Sequence, residues 1–163
     1  MVERTMGRTV ARAGLVAAIY VALCWALKPV SFGVLQFRVA EALTVMPIFY
    51  PEAVPGLFVG ALLANVMGGL GIWDIVFGSL ATLVAAWLTR RHRHSWVAYL
   101  PPILVNAVVV GWYLTYLLGL PGPKLWGSAF LGAALAIGTS EAVIVLLLGA
   151  PLVGLLRRAG LTE

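Results

Sequence analysis

Charged side chains are scarce in this sequence. Asp, Glu, Lys and Arg together make up 10% of its 163 residues, whereas 62% are hydrophobic. Soluble domains carry about 25% charged and about 45–50% apolar residues. A chain so poor in charge cannot cover a water-exposed surface, and its mean hydropathy of +1.01 is correspondingly high. The composition therefore excludes an ordinary soluble domain and predicts an integral membrane protein whose outer surface faces lipid.

Cysteine is nearly absent, and the usual metal and nucleotide motifs are missing. Cys24 is the only cysteine, which excludes an intrachain disulfide, and no Cys/His grouping has the spacing of a metal site. The sequence also lacks a Gly-x-x-x-x-Gly-Lys-Ser/Thr loop. We therefore expect no metal, no cofactor and no ATP hydrolysis by this chain alone. Uphill transport would draw on an ion gradient or on another subunit.

Six apolar segments follow one another along the chain. At roughly 20 residues per membrane-crossing helix, the length allows six or seven spans and no separate domain, so residues 1–163 are expected to form one transmembrane domain. Pro47 and Pro51 predict that the second span is bent or partial, and Pro101-Pro102 predicts a kink in the fifth. The predicted spans are about 11–27, 38–50, 53–67, 73–89, 96–118 and 126–156.

Positive charges are distributed unevenly between the two ends of these spans. With a cytoplasmic N-terminus, only Lys28, Arg38 and Lys124 lie outside, and eight of the 11 cations lie inside, as the positive-inside rule expects. The eight are Arg4, Arg8, Arg12, Arg90, Arg91, Arg93, Arg157 and Arg158. The sequence thus predicts an all-α bundle of six transmembrane helices with both termini cytoplasmic. The placement of the cations thus accounts for the net charge of +5, which therefore does not indicate nucleic-acid binding.

A few ionisable and amide side chains interrupt the apolar segments, mostly toward the outer side. A charged group at depth costs roughly 2.5–3.5 kcal/mol on insertion scales, so such residues usually have a function. Trp73 and Trp112 lie at a similar level and are suited to stack on a flat ligand. We predict a small-molecule site formed by Gln36, Arg38, Glu41, Asn65, Asp74, Asn106 and Glu141.

Structural roles compete with this interpretation. Arg38 lies three residues before Glu41, so the two are also placed to form an ion pair on one helical face. Asn65 and Asn106 are equally suited to hydrogen bonds between helices, and tryptophans at this level often form an interfacial belt. Glu141 is the hardest to explain structurally, and a proton-coupling role is its main alternative to ligand binding.

Rows of small residues mark the first and third spans. Ala18 and Ala22 recur at every fourth position, Ala13 with Ala17 forms a parallel pair, and the third span repeats the pattern from Gly56. Such rows let helix backbones approach closely, within one bundle or against another protein. We expect internal packing for the third span and a helical partner for the first.

Two runs of sequence resemble a known family. The run from Phe32 to Leu43, which contains Gln-Phe-Arg-x-x-Glu-Ala-Leu, and the run Asp74 to Leu83, Asp-Ile-Val-Phe-Gly-Ser-Leu-Ala-Thr-Leu, are similar to the queuosine-precursor transporter family (QueT). The similarity continues at Pro101-Pro102 to Asn106 and at Gly138 to Glu141, and thus covers nearly the whole chain. Members of this family are substrate-binding components of energy-coupling-factor transporters.

The resemblance implies a six-helix component of a prokaryotic plasma membrane that captures a 7-deazaguanine, the aminomethyl or cyano precursor of queuosine. A transmembrane coupling subunit and two cytoplasmic ATPases would drive transport. Contact with the coupling subunit is attributed in this class to an alanine motif on the first helix. Here that motif would comprise Ala13, Ala17, Ala18 and Ala22.

Three other functions stay open at this stage. A component for another vitamin, such as riboflavin or thiamine, is the nearest, and the run from Gln36 to Glu41 argues against it by resemblance. A stand-alone proton-coupled carrier would use Glu141 as its titrating group. An intramembrane enzyme is disfavoured because the sequence offers no nucleophile–base pair, although carboxylates can perform general acid–base catalysis.

Overall fold

The described part of the chain is entirely helical. The computed structural model describes residues 2–32, 36–117 and 127–161, and no strand occurs in these ranges. The all-α prediction is therefore confirmed. The elements are α1 (Val2–Ala26), α2 (Lys28–Ser31), a 3₁₀ helix (Val39–Ile48), α3 (Ala53–Gly68), a π-helical turn (Asp74–Gly78), α4 (Ser79–Arg91), a 3₁₀ turn (Trp96–Tyr99), α5 (Leu100–Leu117), α6 (Ser128–Ile144), a second π-helical turn (Val145–Gly149) and α7 (Ala150–Arg158).

Within the described residues, three stretches of helix are long and apolar enough to cross a membrane: Met6–Ala26, Trp96–Leu117 and Ala129–Arg158. The 3₁₀ helix and α3 are apolar but shorter. Large hydrophobic side chains on the outside of the bundle, such as Leu135 and Leu147, are two-thirds exposed or more. A surface of this kind is stable against lipid and not against water, which agrees with an integral membrane protein.

The first and third α-helices pack closely because glycines on α3 face the backbone of α1. A Cβ atom at Gly56 would lie 2.6 Å from the Ala13 carbonyl oxygen, and one at Gly60 would lie 3.1 Å from the Ala17 Cα. Internal packing of the third span, as predicted, explains this row. Ala13 and Ala17, however, belong to the same contact, and Ala17 is only 7% exposed. Ala13, which is half-buried, and Ala17 therefore take part in the packing of α1 against α3, and their expected contact with a partner stays a prediction.

The 3₁₀ helix occupies the centre of the bundle, in contact with α1, α3, α4, α6 and α7. Seven of its ten residues are buried. A 3₁₀ helix rises about 2.0 Å per residue, so ten residues extend about 20 Å, against about 15 Å for an α-helix. Pro47 lies inside it and cannot donate a backbone hydrogen bond. The short and irregular second segment expected from the prolines is thus an extended central helix.

An arginine from α4 caps the carbonyl end of the 3₁₀ helix. Arg90 Nη1 donates to the carbonyl oxygens of Pro47, Ile48 and Phe49 at 3.1, 3.2 and 3.3 Å. Carbonyls at a helix end lack partners within the helix and carry partial negative charge. Arg90, which the sequence analysis placed with Arg91 and Arg93 on the cytoplasmic side, therefore also binds the end of the central 3₁₀ helix.

The proline pair of the fifth span lies next to a change of helix type. Pro101 and Pro102 lie in the first turn of α5, where their missing amide donors would have no intrahelical partner. A 3₁₀ turn precedes them at Trp96–Tyr99. The helix therefore changes type just before the prolines, and the expected kink at this point stays a prediction. Residues 118–126 lie outside the described residues; they contain the predicted end of the fifth span at 118, the Gly- and Pro-rich stretch 119–124 with Lys124, and the predicted start of the sixth span at 126.

Candidate substrate site

Arg38 is the centre of a buried polar cluster, which we call the Arg38 cluster and which comprises Arg38, Asn65, Asp74 and Tyr113. Its guanidinium donates from Nη1 to Asn65 Oδ1 at 2.8 Å and from Nη2 to Asp74 Oδ1 at 3.0 Å. Tyr113 OH donates to the same Asp74 oxygen at 2.6 Å. Both ions of the pair are at most 4% exposed. Burial of this kind requires that each ion be paired and hydrogen-bonded, as both are here.

The π-helical turn and Gly78 allow this cluster to assemble. Single π-helical turns within α-helices are frequent at functional sites, and this one begins at Asp74. A Cβ atom at Gly78 would lie 2.9 Å from Asn65 Nδ2 and 3.1 Å from both Asp74 Oδ1 and Tyr113 OH. A larger residue at position 78 would push these polar groups apart. Glycine is therefore required for three helices to bring polar side chains to one point.

A second group of polar residues encloses a small cavity beside Arg38, which we call the carboxylate cavity. Its walls come from the 3₁₀ helix and the residues before it, from α4, α5 and α6. Asn106 Nδ2 donates to Glu141 Oε1 at 3.0 Å, and Tyr20 OH of α1 donates to Glu41 Oε1. The lining residues are Gln36, Arg38, Glu41, Gly78, Thr82, Asn106, Val110, Ile137 and Glu141.

Several buried atoms of this cavity have no hydrogen-bond partner among the described residues. They include one carboxylate oxygen of Glu41, one of Glu141, and the amide nitrogen of Gln36. Each unsatisfied buried polar atom costs about 1–3 kcal/mol, more when it is charged, so native structures rarely leave several together. The cavity thus offers two acceptors and one donor for a polar ligand.

The carboxylate cavity is closed in this structure. Its free space is about 10 Å³, close to the minimum that one water molecule needs. Pockets that hold small organic ligands are about 300–1,000 Å³. Gln36, one of the lining residues, has a left-handed backbone with φ of 44°, which is unusual for a residue other than glycine. A ligand of nucleobase size can enter only after the walls separate.

The two predicted stacking residues lie elsewhere. Trp73 and Trp112 form an aromatic cluster with Phe77 and Tyr116, with ring centroids 5.3 to 6.1 Å apart. Neither tryptophan lines the carboxylate cavity. In this closed form they pack against each other, and the expectation that they face the ligand stays a prediction.

The structure groups the other predicted site residues in two sets. Gln36, Arg38, Glu41, Asn106 and Glu141 line the carboxylate cavity. Asn65 and Asp74 lie behind it and hold Arg38.

The expected ion pair between Arg38 and Glu41 is replaced by two other contacts. Arg38 pairs with Asp74, and Glu41 accepts from Tyr20. The backbone at Arg38 is extended, so the pair does not share a helical face.

Three polar residues around the site escaped the sequence analysis: Tyr20, Thr82 and Tyr113. Tyr20 lies on α1 among small residues whose spacing predicted only helix packing. Thr82 lies in the run from Asp74 to Leu83, which was used only for its family resemblance. Tyr20 lies in the middle of an otherwise apolar span, and a buried tyrosine hydroxyl usually has a hydrogen-bond partner. This position was the sequence feature that could have identified Tyr20 as part of a polar site.

A separate groove runs along the outside of α1 and α3, and we call it the α1–α3 groove. It is wholly apolar in lining and has a volume of about 500 Å³. Ala18 and Ala22 line it on the exposed face of α1, and Trp25 closes one end with 58% of its surface exposed. Ala17 also lines the groove, so three of the four predicted partner residues contribute to this surface, whereas Ala13 does not line it.

Comparison with known proteins agrees with these features. Residues 10–158 match the family model described as QueT transporter. The queuosine precursor transporter QueT of Lactococcus lactis subsp. cremoris (strain MG1363) is 33% identical over 72 residues, which cover 43% of this chain and 42% of that protein. No solved structure matches the chain. A family match over nearly the whole chain, together with apolar membrane-crossing helices and a buried polar cavity, shows that the protein belongs to the QueT transporter family.

Proposed function

We propose that this protein is the substrate-binding component of an energy-coupling-factor transporter that takes up a 7-deazaguanine precursor of queuosine. The observation that carries the proposal is the set of unpaired polar atoms around the carboxylate cavity: an oxygen each from Glu41 and Glu141 and the amide nitrogen of Gln36. The Lactococcus relative is named as a transporter of a queuosine precursor, which supports the same substrate class.

The hydrogen-bonding groups of a deazaguanine complement these atoms. Its ring N–H and exocyclic amine are adjacent donors, which one carboxylate accepts together, and its carbonyl oxygen accepts a hydrogen bond from an amide such as that of Gln36. A carboxylate that receives two donors forms the stronger, charge-assisted type of hydrogen bond. A flat vitamin without this donor–donor–acceptor edge would leave the buried carboxylates unpaired, which costs affinity.

Charge favours the aminomethyl form of the ligand over the cyano form. Glu41, Asp74 and Glu141 are buried together with a single guanidinium, that of Arg38. Arg38 also lines the cavity but is paired with Asp74, so Glu41 and Glu141 face the cavity without a cation of their own. An aminomethyl group carries a positive charge at neutral pH and pairs with the second carboxylate, whereas a cyano group does not.

The proposed transporter has a six-span topology. The three long stretches of helix, the helix from the π-helical turn through α4, the shorter α3 and the central 3₁₀ helix correspond to six crossings, with both basic ends cytoplasmic. Labelling of a cysteine introduced at Arg91 by a membrane-impermeant maleimide, in a Cys24→Ala background, tests the orientation. Labelling in intact cells, without permeabilisation, would rule it out.

The α1–α3 groove is the proposed docking surface for the transmembrane coupling subunit, to which two cytoplasmic ATPases would bind. Ala18 and Ala22 leave room for a partner helix to approach the α1 backbone. The sequence itself has no nucleotide-binding loop, so an energy source outside this chain fits the proposal. We assign no catalytic reaction to the chain.

Calorimetric titration of the detergent-purified protein tests the substrate assignment. We expect the aminomethyl deazaguanine to bind at least tenfold more tightly than the cyano form, and guanine and riboflavin to bind weakly or not at all. Glu141→Gln should weaken binding by about ten- to a hundredfold, since a hydrogen bond to a charged group contributes about 1.5–3 kcal/mol.

A matched substitution controls for the loss of one carboxylate. Glu52→Gln removes the same charge from a residue that pairs with Arg12 outside the cavity, so it should leave affinity unchanged. Failure of a folded sample to bind either deazaguanine would overturn the substrate assignment. Uptake by this chain alone that collapses with the proton gradient would instead indicate a proton-coupled carrier.

A further inference from the structure

A basic cavity lies at the end of the bundle opposite the Arg38 cluster, where the loop after α4 meets α7 and the end of the 3₁₀ helix. Its volume is about 290 Å³. Two guanidiniums, an imidazole and a hydroxyl line it together with two aromatic rings. The lining residues are Ile48, Arg93, His94, Ser95, Trp96, Tyr99 and Arg157. We call it the basic cavity.

The cations of this cavity have no acidic partner among the described side chains. Arg93 Nε donates to His94 Nε2 at 2.9 Å, and the Arg157 guanidinium lies 5.8 Å from the centroid of the Phe49 ring. The four acidic side chains that the structure describes lie at other places in the bundle: Glu52 pairs with Arg12, and the remaining three lie around the candidate substrate site. Within the described residues, the positive charge of the basic cavity therefore has no acidic partner.

The loop that presents these groups is held in place. Ser95 Oγ accepts a hydrogen bond from the Val97 amide, and Thr89 Oγ1 donates to the Ala98 carbonyl oxygen at 3.0 Å across the loop. The Ser95 amide in turn donates to the His92 carbonyl oxygen at 2.9 Å. Arg93 and His94 thus project from a closed turn, and a ligand would meet them in a defined geometry.

An apolar track leads away from the basic cavity along α5. Leu104 and Val108 of α5 are 57% and 54% exposed and follow Leu100 at a spacing of four residues, and Trp96, 71% exposed, precedes them in the 3₁₀ turn. Side chains at this spacing fall on one face of a helix. Trp and Tyr favour the membrane–water interface, and Trp96 and Tyr99 mark that level here. The cations therefore lie at headgroup depth and the apolar track lies at acyl-chain depth.

We propose that the basic cavity binds the phosphate of an anionic membrane phospholipid whose acyl chains lie along α5. Arginine forks bind phosphate oxygens in a bidentate manner, and basic pockets between helices at a membrane face bind anionic headgroups. Because Ile48, the last residue of the 3₁₀ helix, lines the cavity, the bound lipid would contact the end of the central element. The site is separate from the candidate substrate site.

Native mass spectrometry of the purified full chain tests this proposal, with phosphatidylglycerol and phosphatidylcholine of identical acyl chains as probes. We expect one phosphatidylglycerol to be retained and phosphatidylcholine to be lost. The double variant Arg93→Gln/Arg157→Gln should reduce phosphatidylglycerol occupancy at least tenfold. The control Arg91→Gln/Arg158→Gln removes the same charge from exposed neighbours that do not line the cavity, and should retain the lipid.

The outcomes separate a lipid site from other anion binding. Equal losses in the two double variants would show attraction by net charge alone and overturn the proposal. Displacement of phosphatidylglycerol by an equal concentration of glycerol phosphate would indicate a site for a soluble phosphate, which also overturns it. Arg157→Gln alone serves if the double variant fails to fold, since Arg157 is exposed, and it should also lower phosphatidylglycerol occupancy.

Discussion

At the scale of single residues, Arg38 connects the stability of the protein with its site. One guanidinium holds Asn65 and Asp74 and also lines the carboxylate cavity. Because both ions are almost fully buried, neither has water to replace a lost partner. The pair therefore adds little net stability compared with an apolar pair, yet removal of one partner leaves an uncompensated charge.

Arg38→Gln should destabilise the protein by about 3–5 kcal/mol, because Asp74 then remains as a buried carboxylate without its cation. The double variant Arg38→Gln/Asp74→Asn should recover most of this loss, since both ions of the pair are then removed together. Denaturant unfolding in detergent measures both. A double variant as unstable as the single one would show that Arg38 acts through packing or its other hydrogen bonds, and not through the charge of Asp74.

At the scale of helices, the contact between α1 and α3 depends on glycine. Gly56→Ala would place a Cβ atom 2.6 Å from the Ala13 carbonyl oxygen, so the helices must separate. We expect a loss of about 1–3 kcal/mol, as for other overpacked interiors. Gly14 on α1 has nothing within 4 Å of its Cβ position, and Gly14→Ala should be neutral or stabilising by up to about 1 kcal/mol. Thermal unfolding of the two variants makes the comparison. A similar melting temperature for both would mean that the contact tolerates a methyl group.

Some of the helices could be predicted from the sequence, and others could not. Hydropathy and proline positions were sufficient to locate α3 and to mark the second segment as irregular, because burial in lipid demands long apolar runs. They did not show that Val39–Ile48 is a 3₁₀ helix at the centre of the bundle, since its conformation is imposed by surrounding helices and by Arg90. The partner of Glu41 was equally inaccessible: Tyr20 is 21 residues away, and only the packing of α1 brings it close.

At the scale of the whole molecule, the candidate substrate site and the α1–α3 groove share α1. Tyr20 reaches inward to Glu41, whereas Ala18 and Ala22, on another face of the same helix, line the groove. A change in the position of α1 would therefore alter both the candidate substrate site and the α1–α3 groove. The carboxylate cavity must open to admit a ligand, and α1 forms a direct hydrogen bond to one of its walls. The proposed partner thus docks on a helix that is hydrogen-bonded to one wall of the cavity.

Ala22→Trp tests this arrangement. The indole would fill the α1–α3 groove without entering the bundle, because Ala22 is exposed, so ligand affinity measured by calorimetry should change less than twofold. Assembly with the coupling subunit, measured by co-purification of the coexpressed complex, should fall at least tenfold, since a bulky side chain prevents close approach of helix backbones. Leu135→Trp on the exposed face of α6 is the matched control and should assemble normally. Normal assembly of Ala22→Trp would move the docking surface away from α1, and weak assembly of both variants would show that any added tryptophan on the lipid-facing surface interferes.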